Sequence, residues 1–126
     1  AIFTRRALLN QPIHIFGDGT QQRDYMSVVD AIQGYKFCIE KKLWGKPINI
    51  GSGQTITIQD LAKLIKKIAN STSEIINVSP RPGEVMKLKA DTSFAKSLGF
   101  ETKTLFENNL TEYVNWYKNS VLPTLL

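Results

Sequence analysis

Apolar and polar positions along this chain follow two rhythms. Ile13-His14-Ile15-Phe16 suits a short strand that sets Ile13 and Ile15 on one face and His14 and Phe16 on the other, closed by the turn signal Gly17-Asp18-Gly19. Ile58, Leu61, Ile65 and Ile68 instead recur every three or four residues, with Lys63, Lys66 and Lys67 between them. That spacing predicts an amphipathic helix, capped by Thr57. A second helical stretch, at 105–118, carries Phe106, Leu110, Tyr113, Val114 and Tyr117.

Weaker signals fill the intervals. Residues 1–10 suit a helix ended by Pro12, because the residue before a proline avoids helical geometry. Residues 24–28 can be extended, and Asp30 is a candidate N-cap for a helix over 31–43. In that helix Ile32, Tyr35, Cys38 and Ile39 form a stripe while Phe37 points to the opposite side, so we expect a face that meets another part of a longer protein. Ile48-Asn49-Ile50 reads as a strand, Glu74 to Val78 as another, and Pro80-Arg81-Pro82-Gly83 as a rigid turn. Asp91 is expected to cap a short helix that Gly99 ends. Strands alternating with helices predict an α/β chain of α+β character, a small mixed sheet with about five helices. Residues 1–120 are expected to form one domain and 121–126 a loose tail.

Composition narrows the function classes. With 126 residues, 42% hydrophobic and 21% charged, the chain has the make-up of one folded domain. No apolar run reaches the roughly 18 residues needed to span a bilayer. One cysteine, Cys38, excludes an internal disulfide and points to a reducing, cytoplasmic compartment. One histidine excludes a multi-histidine metal centre. Sixteen Lys and Arg against eleven Asp and Glu leave +5, which favours anionic partners, yet the charge is spread along the chain rather than gathered in a block. The first residue is Ala, which reads as a processed or excised segment.

Few residues offer chemistry. Gly51-Ser52-Gly53 imitates the first half of a dinucleotide fingerprint, but Ile56 stands where the third glycine belongs. We read the loop as a tight connection whose backbone N–H groups can approach an anion. None of Tyr25, Tyr35, Tyr113 and Tyr117 has a lysine four residues on, so no Tyr-x-x-x-Lys exists. His14 has no partner implied by local sequence, Cys38 suits an inert thiol, and Asp24 and Asp30 suit turn or cap roles. No catalytic or metal-binding residue is assigned. Arg23 follows a turn and Arg81 stands between two prolines, placements that suit a guanidinium gripping phosphate oxygens in a planar fork. Composition alone favours two solvated surface arginines.

A resemblance alters that balance. Five motifs stand in order: Pro12 to Gly19, Gln22-Arg23-Asp24-Tyr25 with Val28 and Asp30, Ile48 to Gly53, Arg81-Pro82-Gly83-Glu84, and Ala90-Asp91-Thr92-Ser93 with Lys96, Leu98, Gly99 and Phe100. Together they resemble the C-terminal part of NAD-dependent nucleotide-sugar epimerases and dehydratases, which are extended short-chain dehydrogenase/reductases. The resemblance implies a substrate-binding part lacking the N-terminal dinucleotide-binding domain, which would hold NAD and the Tyr-x-x-x-Lys group. NAD would then belong to the full-length enzyme and not to this chain alone, and the isolated chain would be inactive.

Carried over by position, Arg23 and Arg81 would bind the pyrophosphate and Glu84 the ribose hydroxyls. Phe16 and His14 would line base and ribose, and Asn49 would contact the substrate. Implied partners are a UDP- or dTDP-linked sugar, the N-terminal NAD-binding domain and, in the full-length enzyme, a second copy, with no nucleic acid or membrane. Against the family it resembles, Glu84 replaces the more usual Asp, Ser27 stands where an aromatic or histidine is frequent, and Leu88 occupies a position that can be a substrate-contacting tyrosine in galactose epimerases. Two rival readings remain open at this level: a basic nucleic-acid-binding adaptor, and a subunit-interaction module with no catalytic role.

Overall fold

In the computed structural model, which describes residues 1–125, the chain begins with helix α1 (Ile2–Leu8) and strand β1 (Ile13–Phe16). Ile13 and Ile15 of β1 are buried while His14 and Phe16 face outward, as the alternation predicts. β1 pairs in parallel with β4 (Ile75–Val78), Ile13 opposite Ile75 and Phe16 opposite Val78. A parallel pair needs a long crossover, and this one contains α3 (Ile58–Ile68). Leu61, Ala62 and Ile65 of α3 close over Ile13, Ile15 and Ala7 to form the core, flanked by Phe3, Phe106 and Leu110.

The Thr57 cap forms as its position predicts. Its hydroxyl oxygen accepts from Asp60 N–H at 3.0 Å and its hydroxyl donates to Asp60 Oδ2 at 2.7 Å. Thr57→Ala is expected to lower stability by about 1 kcal/mol in urea denaturation, an effect that an uncapped α3 would not show.

A second sheet sits beside the first. Strand β2 (Gln22–Arg23) lies between β3 (Ile56–Thr57), antiparallel to it, and β5 (Lys87–Leu88), parallel to it. The small mixed sheet is therefore two sheets, of two and three strands. Helices α2 (Val28–Glu40), α4 (Ser93–Ser97) and α5 (Phe106–Trp116) complete five α-helices among the described residues.

Several local expectations need correction. Helix α2 starts at Val28, three residues early, because Ser27 rather than Asp30 caps it, its Oγ accepting from Val29 N–H at 3.1 Å. Asp30 turns inward and is only 5% exposed. Ile48–Ile50 forms no strand among the described residues: it runs past α2, where Ile50 lies so close to Gly34 that a Cβ there would come within 2.7 Å of it. The faces of α2 are also distinct in kind. Phe37 packs on Phe100 with ring centroids 5.4 Å apart, whereas Ile32, Tyr35 and Ile39 are 57–74% exposed. α4 starts at Ser93 with Thr92 before it, and Asp91 instead accepts from Ser93 N–H at 3.0 Å. Beyond α5 the chain continues through a π turn (Tyr117–Val121) and a 3-10 turn (Leu122–Thr124), the second of which lies within the 121–126 stretch expected as a loose tail. Leu126 lies outside the described residues.

Candidate functional site

Arg23 stands opposite Leu88 in the parallel pairing of β2 with β5, and its side chain turns back to the segment that leads into β5. Nη2 donates to Glu84 Oε1 at 2.5 Å, and Nη1 donates to the carbonyl oxygens of Val85 at 2.6 Å and Gln22 at 2.9 Å. Glu84 closes the proline turn, its N–H donating to Arg81 O at 3.3 Å. From the same turn the Arg81 guanidinium reaches over the Phe16 ring, 3.8 Å from its centroid. Phe16, Arg81, Glu84 and Arg23 thus form one continuous run, with two cations held at either end of a single turn.

His14 shares the outward face of β1 with Phe16. Its Nδ1 lies 3.1 Å from Arg6 Nη1, which also donates to Pro12 O at 2.6 Å. Against a guanidinium donor Nδ1 acts as the acceptor, leaving Nε2–H free to donate outward. The sequence does not single out Arg6; its spacing from His14 crosses a helix, a loop and a strand. Asn49 stands apart from this run, with Nδ2 donating to Asp91 O at 3.3 Å.

Tyr25 is a second omission, and its signal was present: two residues from Arg23 along an extended segment, it shares the same side. A cavity of about 260 Å³ is lined by both, together with Asp30, Lys103, Phe106 and Asn109. Tyr25 stacks on Phe106 with centroids 6.0 Å apart. Burial pushes its phenol above the ordinary value of 10, opposed by the nearby Arg23 charge.

The Gly51–Gly53 loop does not offer the anion site its sequence suggests. Ser52 N–H and Gly53 N–H already donate to the Asp24 carboxylate, at 3.1 and 2.9 Å. A Cβ at Gly51 would meet Ala90 Cβ at 2.6 Å, so that glycine serves close packing. With those N–H groups taken, the loop does not fit a dinucleotide diphosphate. Among the described residues no three His, Cys, Asp or Glu side chains gather as a metal site. No helix among them is long and apolar enough to cross a membrane.

Residues 1–51 match the sequence model of the NAD dependent epimerase/dehydratase family. A curated relative from Methanocaldococcus jannaschii is 33% identical over 120 residues, covering 95% of this chain and 39% of that protein. The UDP-N-acetyl-alpha-D-glucosaminuronate decarboxylase of Bacillus cytotoxicus is 29% identical, covering 92% and 38%. Among solved structures, the UDP-glucose 4-epimerase of Thermotoga maritima with UDP-glucose superposes with a TM-score of 0.82 at 35% identity, covering 99% of this chain and 39% of that one. The UDP-glucuronic acid 4-epimerase of Bacillus cereus, in complex with UDP-glucuronic acid and NAD, gives 0.80 at 29% identity, covering 90% and 38%. The chain spans about two fifths of the length of the curated relatives it matches. Its first 51 residues match the family model, and over nearly its whole length the chain is similar to a part of these nucleotide-sugar enzymes.

Proposed function

We propose that this chain is the nucleotide-sugar-binding portion of an NAD-dependent sugar epimerase or dehydratase. The observation that carries the reading is the run from Arg23 through Glu84 and Arg81 to Phe16, which sets two guanidinium groups about one turn. Planar forks at two ends of a short anion match a diphosphate. Glu84 would accept from ribose hydroxyls, Phe16 and His14 would line base and ribose, and Asn49 would meet the sugar side. NAD, held by the rest of the whole protein, would supply hydride acceptance and return. The residues described above bind and orient, contributing binding energy from parts of the substrate remote from the reacting carbon.

The same reading makes the remainder of the protein the partner of α2. Its exposed Ile32, Tyr35 and Ile39, and the unpaired Ile48–Ile50 segment beside it, are the surfaces an N-terminal dinucleotide-binding domain would cover. The whole protein would act as a cytoplasmic homodimer on a UDP- or dTDP-linked sugar, and the isolated chain would show no turnover.

Calorimetric titration of the full-length protein with UDP-glucose and dTDP-glucose tests this directly. We expect binding of at least one, weakened about tenfold by Arg81→Ala, with NAD content unchanged. Affinity unmoved by that substitution overturns the assignment. Oligonucleotide binding that falls steeply with salt, with no response to nucleotide sugars, would favour the nucleic-acid reading instead.

A further inference from the structure

The anion that fills the glycine loop comes from the protein itself, and it is the neighbour of Arg23. Four hydrogen bonds converge on the Asp24 carboxylate. Oδ1 accepts from Ser52 N–H at 3.1 Å and from Ser52 Oγ–H at 2.5 Å. Oδ2 accepts from Gly53 N–H at 2.9 Å and from Ala90 N–H at 3.2 Å. Asp24 also donates its own N–H to Leu88 O at 3.0 Å. One side chain therefore ties three separate segments: β2, the loop after Ile50, and the chain leaving β5.

Each of those segments leads to a proposed substrate contact. β2 carries Arg23. The loop begins two residues after Asn49, and Ala90 adjoins Asp91, whose carbonyl accepts from Asn49 Nδ2. The junction has little slack. A Cβ at Gly51 would lie 3.3 Å from Asp24 Oδ2, and Gly53 sits at φ +70° with a Cβ position 3.0 Å from Thr92 Oγ1.

We propose that Asp24 is a positioning residue for nucleotide-sugar binding, holding the strand of Arg23 and the loop of Asn49 in fixed relation and closing the loop's N–H groups to outside phosphate. The proposal rests on the function argued above. Only an acceptor with four lone-pair sites can take four converging donors. An asparagine there offers one oxygen and turns its own NH₂ against N–H groups, so the loop and Ala90 separate from β2. The substrate must then order Arg23 and Asn49 as it binds, which costs affinity without touching the reacting bond.

Asp24→Asn and the milder Ser52→Ala test this in the full-length protein, with KM, kcat, NAD content and thermal midpoint measured together. Asp24→Asn is expected to raise KM for the nucleotide sugar about tenfold, and Ser52→Ala about threefold, with kcat and NAD content within about twofold of wild type. Should Asp24→Asn fail to fold, Ser52→Ala decides: a raised KM at an unchanged midpoint supports the proposal, and an unmoved KM overturns it. A lowered midpoint with unmoved KM in either variant assigns Asp24 to stability alone and also overturns it. A wild-type protein with no affinity for nucleotide sugars sinks both readings, whereas wild-type affinity with unmoved variants sinks only this one.

Discussion

Replacing Arg23 with alanine in the full-length protein is expected to raise the KM for the nucleotide sugar roughly 10- to 150-fold, with NAD content at the wild-type level. The range follows from the loss of charge-assisted hydrogen bonds to a diphosphate, each about 1.5–3 kcal/mol. Arg23 already spends Nη1 on two carbonyl oxygens and Nη2 on Glu84, so its side chain is held before any ligand arrives. That ordering lowers the entropy lost on binding. It also complicates the variant, because removing the guanidinium leaves Glu84 without its partner. Arg23→Lys separates the two effects: it keeps the charge near Glu84 but loses the planar fork. A KM for Arg23→Lys close to that of Arg23→Ala points to the fork, and wild-type KM in both variants removes Arg23 from the site.

What the sequence made legible was whatever depends on neighbours in the chain. The Ile58-Leu61-Ile65 spacing and the Thr57 cap are local, and α3 forms where they predict. β1 and β4 were equally readable, since alternation or an apolar run bounded by turn residues suffices. Ile48–Ile50 shows the limit. It has a strand's composition, but a strand is defined by the neighbour it bonds, and the described chain brings it none. The sidedness of α2 was hidden for a related reason. A helix with apolar groups on two faces does not say which face the fold will use, and Phe100 settled it from 63 positions away in favour of Phe37.

The site divides in the same way. Arg23 and Arg81 were named from turns and motif resemblance, but their linkage through Glu84, and the seat of Arg81 on Phe16, join residues more than 60 positions apart. No local pattern encodes such contacts. The glycine loop misled in the opposite direction: its sequence offered N–H groups for an anion, and the fold satisfied them with Asp24, a residue the sequence assigned to a turn or cap.

Asp30→Ala is expected to destabilise the protein by about 2–5 kcal/mol, more than any surface charge in the chain. Though it sits in the first turn of α2, its carboxylate does not cap that helix. It accepts instead from the backbone N–H groups of Lys103 and Thr104, at 3.1 and 3.4 Å, and from the Thr104 hydroxyl. Thr104 Oγ1 in turn accepts from Asn109 Nδ2 at 2.6 Å, so the network fastens α2 to the entry of α5. Alanine would strand two backbone donors at a site only 5% exposed at Asp30, each costing about 1–3 kcal/mol. Lys36→Ala is the fitting contrast. It breaks only the exposed Lys36–Glu40 pair at 3.8 Å, a bond worth about 0.5 kcal/mol or less. Urea denaturation of both variants decides the matter: a midpoint for Asp30→Ala no lower than that for Lys36→Ala would show that water replaces the carboxylate freely, and that α5 is held by its apolar face on α3 rather than by this buried acceptor.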